Sequence, residues 1–193
     1  VLITVLGQKG KRQKPRETRG RFNMGTSISK RPKEVRNRET FGHWEFDIVV
    51  SGSGKAKGCV ATFIERMTRC VGFLISDRSA QSMEREVRLL HTALPKGTIK
   101  TATTDRGKEF SCYKVLEKDL KIDVYFADAY SSWQRGSNEN GNGLLREFFP
   151  KQTNFDEISP EELTEALNYI HNRPRKCLGG KLQTRLLMSN CCT

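Results

Sequence analysis

The hydrophobic period of this chain changes once, and that change limits its fold more than any other feature. In the first strand segment the apolar residues recur every second position, the spacing of a strand with one buried face. His43–Val50 alternates Trp44, Phe46, Ile48 and Val50 against His43, Glu45, Asp47 and Val49. Gly58–Glu65 and Cys70–Ser76 are short apolar runs that read as two more strands, joined across a Gly/Ser turn and a short Arg66–Arg69 turn, which predicts a three-stranded antiparallel meander. From Ser79 the period becomes three to four, with Ala80, Met83, Val87, Leu90 and Leu94 on one stripe. Ser79–Thr92 is therefore an expected helix capped by Ser79 and ended by Pro95-Lys96-Gly97. Ile99–Thr104 and Ile122–Phe126 are two further strands, with a helix over Gly107–Leu120 between them. A meander followed by strand–helix–strand units requires a mixed sheet with helices on its faces, an α/β fold.

Two more helices are expected. One covers Asn138–Phe149 despite Gly141 and Gly143, each costing up to about 1 kcal/mol relative to Ala. The other starts at Ser159, where Pro160 and Glu162 complete a capping box. Residues 1–40 read as a weakly structured basic arm, 41–172 as the folded core and 173–193 as a basic tail. The charge is uneven: of a net +12, residues 1–40 hold twelve Lys/Arg against three Asp/Glu, and the other 153 residues hold 22 against 19. Such an arm suggests a polyanion, most simply nucleic acid. No apolar run approaches the roughly 20 residues of a membrane span, and no signal-peptide pattern opens the chain, so a cytoplasmic, nucleoid-associated protein is expected. The six cysteines form no Cys-x-x-Cys pair and read as reduced core residues, not a zinc site.

Three acids stand where acids are awkward. Asp47 is mid-strand among apolar residues, where an unpaired carboxylate is expensive. Asp105 ends a strand, and strand ends are where sites collect in α/β sheets. Glu139 opens a helix after an irregular loop. Magnesium and manganese take oxygen ligands, and two such ions can stabilise the attacking and leaving oxygens of an in-line phosphoryl transfer. A strand acid, a strand-end acid and a helix acid would serve that geometry. Spacing alone leaves other roles open: a salt bridge to an arginine for Asp47, a turn cap for Asp105, a solvated helix-start acid for Glu139.

The surrounding words are more specific. Gly42-His43-Trp44-Glu45-Phe46-Asp47 resembles the first-strand motif of the bacterial insertion-sequence transposase family numbered thirty. Thr103-Thr104-Asp105-Arg106-Gly107-Lys108-Glu109-Phe110 resembles its second-aspartate motif, and Trp133-Gln134-Arg135-Gly136-Ser137-Asn138-Glu139-Asn140 its glutamate helix. Arg19-Gly20-Arg21 and Arg173-Pro174-Arg175-Lys176 extend the resemblance to roughly residues 9 to 180. It implies a ribonuclease-H-like, retroviral-integrase-type core with five mixed strands and flanking helices. It implies Asp47, Asp105 and Glu139 as catalytic metal ligands for two Mg2+ ions, with Mn2+ able to substitute. The implied reaction is hydrolysis and then strand transfer of duplex DNA, at transposon ends and target, by a homo-oligomer.

Around this triad, Arg146, Arg135, Trp133 and Gln134 are expected DNA contacts, as are Lys11, Arg12, Arg19 and Arg21 of the arm. Arg146 could equally pair with Glu147. Asn142 and Arg106 are expected to support the ligands from behind, and Glu45, Glu109 and His43 are lesser candidates to assist them. The sequence departs from the family at Arg106, where Asn is usual, in the proline-free loop Asp128–Ser132, and in the tail from Lys181. It also begins without the family's helix-turn-helix domain, as an excised domain or a decayed copy would. A non-catalytic DNA-binding remnant and another ribonuclease-H-like nuclease are the competing readings.

Overall fold

The computed structural model describes residues 25–52, 58–69, 71–183 and 186 of the chain. Its sheet has the order β1-β6-β5-β2-β3-β4, with β1 Thr26–Ser27, β2 His43–Val50, β3 Cys59–Glu65, β4 Val71–Ser76, β5 Thr101–Thr104 and β6 Asp123–Phe126. β2, β3 and β4 form the antiparallel meander, while β5 and β6 join β2 in parallel. The fold is the α/β mixed sheet with flanking helices that the period change requires.

Five of these strands match the sequence reading; β1 is a sixth. Thr26 and Ser27 pair in parallel with Tyr125 and Phe126, and a short helix α1 (Glu34–Asn37) follows. Part of the arm read as a linker is thus folded onto the core. Two residues are too few to show a period, and Val35, the one apolar anchor of α1, is isolated in sequence but 1% exposed.

Alternation along the strands builds two cores, one on each face of the sheet. Trp44, Phe46 and Phe63 pack with Met83 and Val87 of α2 (Ala80–Ala93) and Leu116 of α3 (Tyr113–Leu120). Val49 and Ile64 pack on the other face with Leu145 of α4 (Gly136–Phe148) and Leu163 and Ile170 of α5 (Pro160–His171). Val50 departs from its expected face and is exposed, at the strand's end.

Local chemistry sets the helix starts. The Ser79 hydroxyl accepts from the Ser82 amide at 3.1 Å. Ser159 and Glu162 form the expected reciprocal box, with Pro160 in the first turn. The helix expected from Gly107 is divided: a 3-10 turn over Lys108–Cys112 precedes α3. Gly141 has a packing reason, since a Cβ there would collide with Ile64 of β3. That close approach seats α4 directly against the sheet, and α4 is the element that borders the site.

Candidate active site

Parallel pairing of β2 with β5 brings the two aspartates together. Glu45 is in register with Thr103, and two residues further along each strand come Asp47 and Asp105. Their carboxylates meet one guanidinium: Arg135 Nη1 lies 2.9 Å from Asp47 Oδ1 and Nη2 lies 3.4 Å from Asp105 Oδ2. Arg135 precedes α4, so the loop before that helix delivers the cation. Asn142, on the second turn of α4, donates Nδ2 to Asp47 Oδ2 at 3.1 Å. The Ile48 amide donates to Asp47 Oδ1 at 3.0 Å and the Gly107 amide to Asp105 Oδ1 at 2.9 Å.

Burial raises the pKa of Asp47 above the ordinary carboxylate value, with Asp105 adding and Arg135 opposing. For Arg135 burial works against the charge, but the two aspartates outweigh it and raise the pKa. Glu109 is half-buried nearby. Burial raises its pKa, reinforced by Asp105 and Asp47 and opposed by Arg78. The negative field is therefore shared by three carboxylates from β2, β5 and the turn before α3.

Glu139 is not part of this cluster. It is exposed on the first turn of α4 and lines a shallow groove with Asn140, Gly143 and Glu147. Among the described residues no three His, Cys, Asp or Glu side chains gather closely enough to hold an ion. The donor set at the two aspartates is nonetheless of the right chemistry for magnesium or manganese, being all oxygen. Asn142 Oδ1 adds a buried oxygen without a hydrogen-bond partner beside them.

Other expected site residues have different surroundings. Glu45 is fully buried, paired with Arg66, and accepts the Asn138 amide at 2.9 Å. It therefore anchors the start of α4 and is not available to a metal. His43 is buried with Nδ1 2.9 Å from Thr101 Oγ1, away from the aspartates' shared cation. Arg146 does not meet Glu147. It donates to the carbonyls of Val50, Phe149 and Pro150 at 3.0–3.3 Å and lies over the Phe155 ring, tying the end of α4 to the end of β2. Those three bonds use both Nη1 hydrogens and one of Nη2. Arg106 turns from the aspartates to the Ala127 carbonyl at 3.1 Å and Asp128 at 3.6 Å. Gln134 bonds Asp128 through both ends of its amide, while Trp133 is 72% exposed. Lys11, Arg12, Arg19 and Arg21 lie outside the described residues. Sequence reasoning missed Arg135 as the counter-ion and missed Arg31, Arg36 and Arg38, which line a second cavity with Trp133.

No family model matches the chain. Individual proteins do. It is 40% identical over 158 residues to a Streptococcus salivarius protein named "Probable transposase for insertion-like sequence element IS1161", covering 81% of this chain and 44% of that protein. It is 34% identical over 181 residues to the Escherichia coli transposase InsI of IS30C, covering 92% and 46%. A third relative, the transposase of IS1086 from Cupriavidus metallidurans, is 36% identical over 182 residues, covering 92% and 53%. The chain is thus similar, at 34–40% identity over most of its length, to insertion-sequence transposases of the IS30 type. It spans about half the length of these curated relatives. The fold has solved counterparts as well. The catalytic core domain of BIV integrase superposes with a TM-score of 0.61 at 17% identity, covering 78% of this chain and 95% of that one. A chain of the simian T-cell lymphotropic virus intasome superposes at 0.64 and 18% identity, covering 92% and 59%. The core is therefore ribonuclease-H-like and of the integrase type. Among the described residues no helix is long and apolar enough to cross a membrane.

Proposed function

We propose that this chain carries the catalytic core of a DNA transposase, centred on residues 41–172, and that Asp47, Asp105 and Glu139 are its metal-binding acids. The observation that carries the reading is the convergence of Asp47, within β2, and Asp105, just past the end of the parallel strand β5, on one shared cation. Two divalent ions bound there would polarise a DNA phosphodiester and activate the attacking oxygen. Magnesium is the ion of choice and manganese its substitute.

The protein's own groups prepare that chemistry. Asn142 and the Ile48 amide fix the Asp47 carboxylate, and the Gly107 amide fixes Asp105. Fixed acids need no reorganisation as charge develops. Arg135 holds the same carboxylate oxygens that an ion requires, so the two compete, and Arg135 swings out to a DNA phosphate when ions enter. Glu139 lies three residues before Asn142, one helical turn away. A rearrangement of the first turn of α4 brings its carboxylate to the aspartates. Tyr130, which is exposed and has a left-handed backbone, lines a cavity of about 480 Å³ beside Asp105. That cavity receives the scissile strand. The basic arm, including Lys11, Arg12, Arg19 and Arg21, adds phosphate contacts along duplex DNA, and copies of the chain assemble on paired transposon ends and target.

The test is nicking of supercoiled plasmid in magnesium or manganese by the chain and by its Asp47→Asn and Asp105→Asn variants. Metal-dependent nicking lost in both variants supports the reading. Equal nicking by all three removes the acids from the chemistry, and preference for an RNA–DNA hybrid over duplex DNA would replace a transposase with a hybrid nuclease.

A further inference from the structure

The folded part of the arm creates a site that the three acids do not explain. Arg31, Arg36 and Arg38 come from the segment after β1, and with Arg66 and Trp133 they line a cavity of about 470 Å³. Two of these arginines are engaged. Arg66 pairs with Glu45 and donates to the Val35 carbonyl, and Arg31 Nη1 donates to Thr103 Oγ1 at 2.9 Å. Arg36 and Arg38 are exposed and form no ion pair among the described residues. Burial, with Arg66, Arg36 and Arg38 close by and Glu45 opposing, lowers the pKa of Arg31 to about 10. The protein therefore gathers four arginines around one cavity, the Glu45 and Asp128 carboxylates offset part of their charge, and an anion offsets more.

Another part of the lining is aromatic. Trp133 is 72% exposed, although a ring of that size normally seeks burial. Its loop is held by reciprocal bonds: the Asp128 amide donates to Gln134 Oε1 at 2.8 Å and Gln134 Nε2 donates to Asp128 Oδ2 at 2.9 Å. The indole is thus presented on a tied loop. Next in that loop after Gln134 comes Arg135, which meets Asp47 and Asp105. Asp128 lines both this cavity and the one beside Asp105, so the two adjoin.

We propose that this cavity binds one unpaired nucleotide next to the cleavage point, with its phosphate on Arg36 and Arg38 and its base stacked on Trp133. This rests on the reading of DNA as the substrate. A duplex hides its base faces within the stack and offers only edges and phosphates, so arginines alone would suit duplex DNA. An exposed ring adds value only for a base free to stack.

Intrinsic fluorescence tests it on the full chain, because Trp44 is 1% exposed and Trp133 is the second of the two tryptophans. The probes are a blunt DNA duplex and the same duplex with a short single-stranded overhang, without divalent ions. The overhang is expected to quench the exposed tryptophan and to bind about tenfold more tightly than the blunt end. Read by the anisotropy of a dye on the DNA, because these variants lack the reporting indole, Trp133→Ala should lose that preference while keeping blunt-end affinity, and Trp133→Phe should restore part of it. Arg36→Gln with Arg38→Gln should weaken both probes and reduce the salt slope by about two. Equal binding of the two probes, or a preference that survives Trp133→Ala, overturns the proposal. Asp47→Asn should retain the preference. If wild-type chain nicks plasmid yet shows no preference, the nucleotide site alone fails. If it shows the preference but never nicks, the catalytic reading fails and the site stands.

Discussion

Glu45 and Asp47 share one face of β2, two residues apart, and each meets an arginine, yet the two ion pairs serve opposite ends. The Glu45–Arg66 pair is sealed, with side chains 0% and 6% exposed, and it holds the first turn of α4 through the Asn138 amide. The Asp47–Arg135 pair is 20% and 14% exposed and opens on a cavity beside Asp105. A buried pair with satisfied partners fixes geometry. A pair whose cation sits on a loop and whose acid has a second acid beside it can exchange that cation for another. The same residue types on the same strand thus become an anchor and a site, and what separates them is access.

Substitution at the open pair should have the largest effect, and on activity alone. Asp47→Asn is expected to lower metal-dependent nicking about a thousandfold, equivalent to about 4 kcal/mol, with the urea midpoint nearly unchanged. Glu45→Gln should do the reverse. It strands Arg66 in the interior, so about 3 kcal/mol of stability should be lost by urea unfolding. A Glu45→Gln protein as stable as wild type would break the contrast.

Competition at the open pair gives a smaller effect. Arg135→Ala should bind Mn2+ about tenfold more tightly by calorimetry, a gain of about 1.4 kcal/mol, because it frees the oxygens of Asp47 and Asp105. Unchanged or weaker binding would make Arg135 a support of the ions and not their rival.

The smallest effect is in pH. Burial lowers the pKa of His43, at the sealed end of β2, and of His171, which contacts the Val71 carbonyl. Both are neutral when folded, so the unfolded state takes up protons first. Stability is full above about pH 6.5 and falls as pH drops through that value towards the lowered folded pKa. Asp47 has the opposite sign: its pKa is raised, so its contribution is fully present below about pH 3.9 and is lost as pH rises through the folded pKa. Urea midpoints should fall by an amount worth about 1 kcal/mol between pH 7 and 5. His43→Asn should flatten part of that fall and Asp47→Asn should not.

The same difference of access explains what was legible in the sequence. Strand and helix periods report burial against a core, so β2 to β6 and the amphipathic helices could be read from residue spacing. β1 and α1 could not, because two paired residues and a single buried Val35 leave no period. Asp47 and Asp105 were visible as acids in strand contexts, and their meeting follows from parallel pairing. Arg135 was visible only as a basic residue before a helix; its contact with both aspartates depends on how the loop after β6 returns. Arg146 is the converse case. Its place seven residues after Glu139 suggested phosphate, but the helix end puts its guanidinium among the Val50, Phe149 and Pro150 carbonyls. Glu139 carries a specific sequence motif and yet lies on the exposed groove of α4, so its inward turn is the step most in need of a direct test.

Calorimetric titration of Mn2+ into the chain, beside Asp47→Asn, Asp105→Asn and Glu139→Gln, tests the central claim most directly. The account predicts saturable binding that weakens in all three variants, with plasmid nicking lost in parallel. Identical binding by wild type and variants would contradict it and remove the two strand acids and Glu139 from the metal site together.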